Sequence, residues 1–365
     1  MNAESITIFV YPVMMILSAI PVAMGSYFCN KKQLSEATCR KYKIAGFAVS
    51  ALIAFLLLGF RVNISTGFAE TYLLKWYQYN NGMKQGLTLT PFMRVLFFLL
   101  SKVTKEQQWI TIICSLLMII PLWLSIYICS PLPAVSILLF VGLRQIFLSM
   151  NFLEYGIAMA FLSVAFIFVK RENPWMYTMF IALAAFFYFP AIIFLPLYFL
   201  KDKKIDSFYW VLTVAVVSVV VRVVVLLTEH TDEASEYITK YFNVYTSTVF
   251  FELLFTITMI IVMCHSNKQL GSNNDQLSNF FFNVNLLNAL ILLNGELLHI
   301  PETYVWMFSY CNIFFIPTIV SKLNNLREKV IAYCLVSSIG MYLLITVNGI
   351  LNRFSGRPYI SWFFN

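Results

Sequence analysis

The chain has 365 residues, of which 60% are hydrophobic, 17% aromatic and only 12% charged, with a net charge of +8 and a mean hydropathy of +0.78. Soluble domains average about 25% charged residues, so this composition excludes an ordinary soluble enzyme and describes an all-α, polytopic integral membrane protein. The basic excess sits in short loops between apolar runs, with no contiguous basic domain, which excludes a nucleic-acid partner.

Only Glu4 precedes the first apolar run, so the basic start of a cleaved signal peptide is missing and residues 6–28 read as a span. The loop that follows carries Lys31, Lys32, Arg40, Lys41 and Lys43 against the single acid Glu36. Short basic loops stay in the cytoplasm, which places the N-terminus outside. Residues 44–60 then return the chain to the outer face, where Arg61 opens a polar stretch rich in Tyr, Asn and Gly. The apolar run 91–103 carries Arg94 and is too short to cross a ~30 Å core, so 61–107 reads as an outer loop with a half-helix.

Residues 109–129 and 134–150 read as two spans separated by the Ser130-Pro131-Leu132-Pro133 turn, whose prolines stop a continuous helix. The second span contains Arg144 and delivers Asn151 to the outer face. The next span, 155–169, ends in Lys170 and Arg171. Those residues mark the inside, so Glu154 at its start faces the outside. Residues 175–200 exceed one straight span and contain Pro190 and Pro196, which predicts a broken or re-entrant helix reaching the outer level near Tyr188.

Beyond that break, 208–227 runs outward with Arg222 near its end, and 228–247 forms an outer loop holding Glu229, Asp232, Glu233 and Glu236. Spans 249–264, 280–299, 304–320 and 330–347 lead to an outer tail with Arg353 and Arg357. At ~20 residues per crossing the pattern gives about 11 passages in one helical domain covering 1–365. The seven cysteines form no C-x-x-C pair and read as apolar packing residues, while His230, His265 and His299 are too dispersed to hold a metal. No cofactor motif is visible.

Asn151-Phe152-Leu153-Glu154-Tyr155-Gly156-Ile157-Ala158, a basic turn, and then Leu183-Ala184-Ala185-Phe186-Phe187-Tyr188 resemble the EpsG group of Wzy-type polysaccharide polymerases. Glu154 stands in the place of that group's arginine, Tyr155 in that of its glutamine and Tyr188 in that of its histidine. Arg61 and Tyr72 fit the group's earlier outer motif, with Ser65 and Gly67 where Gly and Asp are usual. The resemblance implies an inner-membrane, metal-independent glycosyltransferase of the O-antigen or capsule polymerase type. Such an enzyme moves a growing glycan from undecaprenyl pyrophosphate to a lipid-linked repeat unit at the outer face. Membrane lipid, the undecaprenyl-pyrophosphate-linked oligosaccharide and a chain-length regulator are the partners it implies.

Under that reading Glu154 is a general base for a sugar hydroxyl or, alternatively, an ion-pair partner of Arg144 or Arg222. Tyr188 donates a hydrogen bond to a sugar or packs among Phe186, Phe187 and Phe189. Arg61, Arg94, Arg144, Arg222 and Arg357, with Tyr72 and Asn151, form the substrate-binding set, because guanidinium forks pair bidentately with phosphate oxygens. Their alternative is snorkelling to lipid headgroups. The rival function is a flippase for lipid-linked oligosaccharide, which would be expected to show internal repeats.

Overall fold

The computed structural model describes residues 3–31, 35–62, 67–82, 90–143, 145–202, 216–217, 220, 276–294, 302–323 and 360–361. The chain divides into two compact units, one formed by Met1–Leu195 with Val347–Asn365 and the other by Pro196–Thr346. The described residues are helical apart from short connections and one two-residue antiparallel pair, β1 (Arg61–Val62) with β2 (Ile360–Ser361). Among the described residues, four helical stretches are long and apolar enough to cross a membrane: Glu36–Gly59, Gln108–Cys129, Leu153–Lys170 and Thr303–Lys322.

In the first unit, α1 (Ala3–Lys31) and α2 (Glu36–Gly59) form an antiparallel hairpin. Ser35 caps α2 by accepting from the Thr38 N–H, satisfying one of the donors that every helix start leaves open. Gly46 lets the two helices meet, since a side-chain carbon there would run into the Pro21 carbonyl. Cys29 and Cys39 flank the turn and form a disulfide, with Cα atoms 5.1 Å apart. This corrects the reading of all the cysteines as packing residues. The hairpin brings the two thiols face to face even though ten residues separate them. Cys114, Cys129 and Cys311 are buried, and Cys264 and Cys334 lie outside the described residues.

Helix α3 (Gly67–Asn80) and the short α4 (Pro91–Ser101) precede α5 (Gln108–Cys129). Helix α4 has Pro91 in its first turn and Thr90 as its cap, and at 11 residues it is about 16 Å long, half a bilayer core. The start of α5 is tied to the end of α2: Gln108 Nε2 and Thr111 Oγ1 both donate to the Gly59 carbonyl. Halfway along, Trp123 Nε1 donates to Ser50 Oγ at 2.9 Å.

The expected span at 134–150 is instead two helices, α6 (Pro133–Gly142) and α7 (Gln145–Asn151). Gly142 is a weak helix former, and Leu143 leaves the helical region at φ −86°, ψ 19° while its N–H returns to the Leu139 carbonyl. The uniform apolarity of the run conceals that stop.

Helix α8 (Leu153–Lys170) is the most enclosed of this unit, with residues such as Ala158, Met159, Ala160, Ala165 and Phe166 fully buried. Gly156 makes that enclosure feasible: a side-chain carbon there would lie 2.7 Å from Ser149 Cβ and 3.0 Å from Met118 Sδ. At the far end, Lys170 Nζ donates to the Ile128 carbonyl at 3.0 Å, so α5 and α8 run parallel. Glu172 takes the left-handed conformation at φ 55°, which turns the chain, and Asn173 caps α9 (Pro174–Phe187) by accepting from Met176 N–H. The return is glued by stacked rings, Phe161 against Phe187 at 5.1 Å and Phe168 against Phe180 at 5.3 Å. The α-helix stops at Tyr188, which is extended (φ −144°, ψ 100°), and Phe189–Leu200 continues as a 3-10 helix.

In the second unit, α10 (Gln276–Asn294) packs on α11 (Glu302–Tyr310) and α12 (Asn312–Lys322), which are separated by a single turn at Cys311. Phe281 stacks on Phe314 with ring planes 5° apart. Lys322 Nζ donates to Ser278 Oγ at 2.7 Å, fixing the antiparallel register. The segments 208–227, 228–247, 249–264 and 330–347 lie outside the described residues.

Candidate functional site

Helices α2, α5 and α8 give the first unit two chemically distinct ends. One gathers Arg40, Lys41, Lys43, Lys170 and Arg171 with the Cys29–Cys39 bridge, because the start of α2, the end of α5 and the end of α8 meet there. The other holds the Gly59–Gln108 junction and the start of α8. Glu154 lies in the first turn of α8, where the helix dipole favours a negative charge.

Three segments that the chain separates widely converge on that carboxylate. Thr90, at the head of α4, donates its hydroxyl to Glu154 Oε1 at 2.6 Å. The same Oγ1 accepts the Met93 N–H at 3.4 Å, so the capping residue of α4 also clamps α8. Tyr72, on α3, hydrogen-bonds Glu154 as well, and Lys75 one turn further attracts the carboxylate electrostatically. Burial, followed by the neighbouring Glu154 charge, raises the pKa of Tyr72 far above the usual phenol range. Tyr72 is therefore a neutral O–H donor at physiological pH.

Tyr188 joins the same group from the end of α9. Its ring meets that of Tyr155 edge to face at 5.9 Å, and it lies within electrostatic reach of Tyr72. Tyr155 is itself fixed, since its buried hydroxyl donates to Gln145 Oε1 at 2.8 Å. The Phe92 ring of α4 sits 4.1 Å from Phe187, which locks the half-helix against the end of α9. The result is a half-buried carboxylate held by two hydroxyl donors, with a tyrosine at its side.

Of the residues singled out from the sequence, Glu154, Tyr72 and Tyr188 come together, whereas Arg94 is exposed on α4. Arg61 lies in β1 and Asn151 ends α7; their side chains, and Arg144, Arg222 and Arg357 altogether, lie outside the described residues. Thr90, Lys75 and Gln145 were not singled out. Thr90 had a legible signal, as a threonine directly before a proline that begins an apolar run is a helix cap. Among the described residues no three His, Cys, Asp or Glu side chains gather as a metal site.

No curated protein and no solved structure matches the chain. The model of the EpsG family matches residues 44–361, a span that contains Tyr72, Thr90, Glu154 and Tyr188. With that match covering most of its length, the chain belongs to the EpsG family, and it is a membrane protein.

Proposed function

We propose that this protein is an inner-membrane polysaccharide polymerase. In this reading a growing glycan passes from undecaprenyl pyrophosphate to the next lipid-linked repeat unit at the outer face. The observation that carries the reading is the carboxylate of Glu154, held by Tyr72 and Thr90 beside Tyr188, at the end opposite the basic one. Basic residues mark the cytoplasmic side, which puts the N-terminus and Glu154 outside, on a chain of about 11 passages. The broken segment at Tyr188 reaches the same outer level, and 61–107 is an outer loop with a half-helix.

In the reaction Glu154 takes the proton of the acceptor hydroxyl as that oxygen attacks the anomeric carbon of the donor. The bond from that carbon to pyrophosphate breaks, a glycosidic bond forms, and undecaprenyl pyrophosphate leaves with the electron pair. Tyr188 orients the acceptor through its hydroxyl. Tyr72 serves as a donor to the base, and with Asn151 it lines the acceptor side. Arg61, Arg94, Arg144, Arg222 and Arg357 are the proposed grips for the departing pyrophosphate, where negative charge develops. A chain-length regulator would act on this assembly from outside the chain.

Arginine-to-lysine exchange tests the phosphate assignment. A lysine keeps the charge and snorkels equally well but loses the planar fork. In Arg61→Lys and Arg222→Lys proteins at wild-type membrane levels, surface glycans should shorten. Wild-type lengths in both would remove these residues from the site.

A further inference from the structure

The second unit contains a polar group of residues that the proposed reaction does not use. Asn285 and Asn288 are both 0% exposed and Asn312 is 3% exposed. Asn285 Nδ2 donates to the Phe281 carbonyl one turn earlier at 3.0 Å. Its Oδ1, both amide atoms of Asn288 and Oδ1 of Asn312 meet no hydrogen-bonding atom among the described residues. Buried amides without a partner are costly, and in the hydrocarbon region no bulk water relieves them.

The register of α10 on α12 brings these groups to neighbouring turns of the pair. The helices run antiparallel with Ser278 bonded to Lys322, and Phe281 stacks on Phe314. Asn288 lies ten residues beyond Ser278, and Asn312 ten residues before Lys322. At 1.5 Å per residue both sit about 15 Å from the Lys322 level, close to the middle of a ~30 Å core. Asn285 is three residues from Asn288, on the same face.

We propose that Asn285, Asn288 and Asn312 form an internal site for neutral O–H groups near the bilayer midplane. Neutrality follows from the segments that carry the amides: neither α10 nor residues 303–321 contain an Asp, Glu, Lys, Arg or His. The O–H group follows from the amides, which can turn over and exchange donor and acceptor ends, so the complementary group must both donate and accept. Two sources supply it, ordered water and the hydroxyls of a carbohydrate. The site stands on buried polar atoms of a helix pair, independently of the reaction proposed above.

The experiment is a high-resolution structure of the full chain in lipid nanodiscs, with and without millimolar N-acetylglucosamine, paired with thermal unfolding of wild type and Asn288→Leu. Density within hydrogen-bond distance of Asn288 and Asn312 is expected. Its presence without sugar identifies water. Density that appears only with sugar, together with a rise in melting temperature that Asn288→Leu abolishes, identifies carbohydrate. Asn288→Leu should lower the melting temperature by several degrees. The proposal is overturned if the amides bond directly to each other or to other protein atoms with no density between them, or if Asn288→Leu raises the melting temperature. If Asn288→Leu does not accumulate, Asn312→Leu carries the same thermal readout, and the wild-type density decides independently.

Discussion

Thr90 Oγ1 and Glu154 Oε1 are 2.6 Å apart although 64 residues separate them in the chain. The contact makes the cap of α4 a structural partner of the carboxylate in α8. A hydroxyl bond to a charged acceptor contributes about 1.5–3 kcal/mol. Thr90→Val should therefore reduce elongation by roughly ten- to a hundredfold, if that energy holds the carboxylate in its reactive orientation. Thr90→Ser keeps both the cap and the donor and should restore most of it. Elongation of a purified lipid-linked acceptor by the two variants gives the comparison, and equal rates would show that the bond has no bearing on the reaction.

Gly156 lies two residues beyond Glu154 on α8, where a side-chain carbon would approach Ser149 and Met118 to within 3.0 Å. Gly156→Ala should destabilise the first unit by about 1–3 kcal/mol, the usual cost of overpacking, and Gly156→Leu should prevent accumulation. Melting temperatures in detergent provide the check. An unchanged value for Gly156→Ala would mean that α5 and α7 yield easily around α8.

Much of this arrangement is legible in the sequence alone. The length of α8, its basic end and the acid at its start placed Glu154 opposite Lys170 and Arg171. Pro190 and the excess length of 175–200 announced an interruption, and the chain does leave the α-helix at Tyr188. The short, proline-started α4 was equally readable. What stayed hidden depends on pairing across distance: the approach of Thr90 and Tyr72 to Glu154, and of Cys29 to Cys39, arises from helix packing that no local pattern encodes. The break after α6 was masked because a glycine inside an apolar run changes hydropathy very little.

The Cys29–Cys39 bridge sits at the basic end of the first unit. If that end faces the cytoplasm, the glutathione pool should keep the pair as thiols in growing cells. Acid-quenched cells treated with a thiol-reactive polyethylene glycol should then show both cysteines labelled, and the bridge should form after purification in air. Quantitative oxidation inside cells would place this end at the oxidising face and invert the proposed topology.

The carboxylate at the junction of α3, α4 and α8 is the centre of the account, and Glu154→Gln probes it most directly. The amide occupies the same space and its oxygen still accepts from Thr90, yet it cannot take a proton from a sugar hydroxyl at neutral pH. Surface glycan from cells producing Glu154→Gln at wild-type membrane levels should collapse to single repeat units displayed outside, because translocation and ligation continue while elongation stops. Glycan of wild-type length distribution in this variant would contradict the assignment of Glu154 as the base.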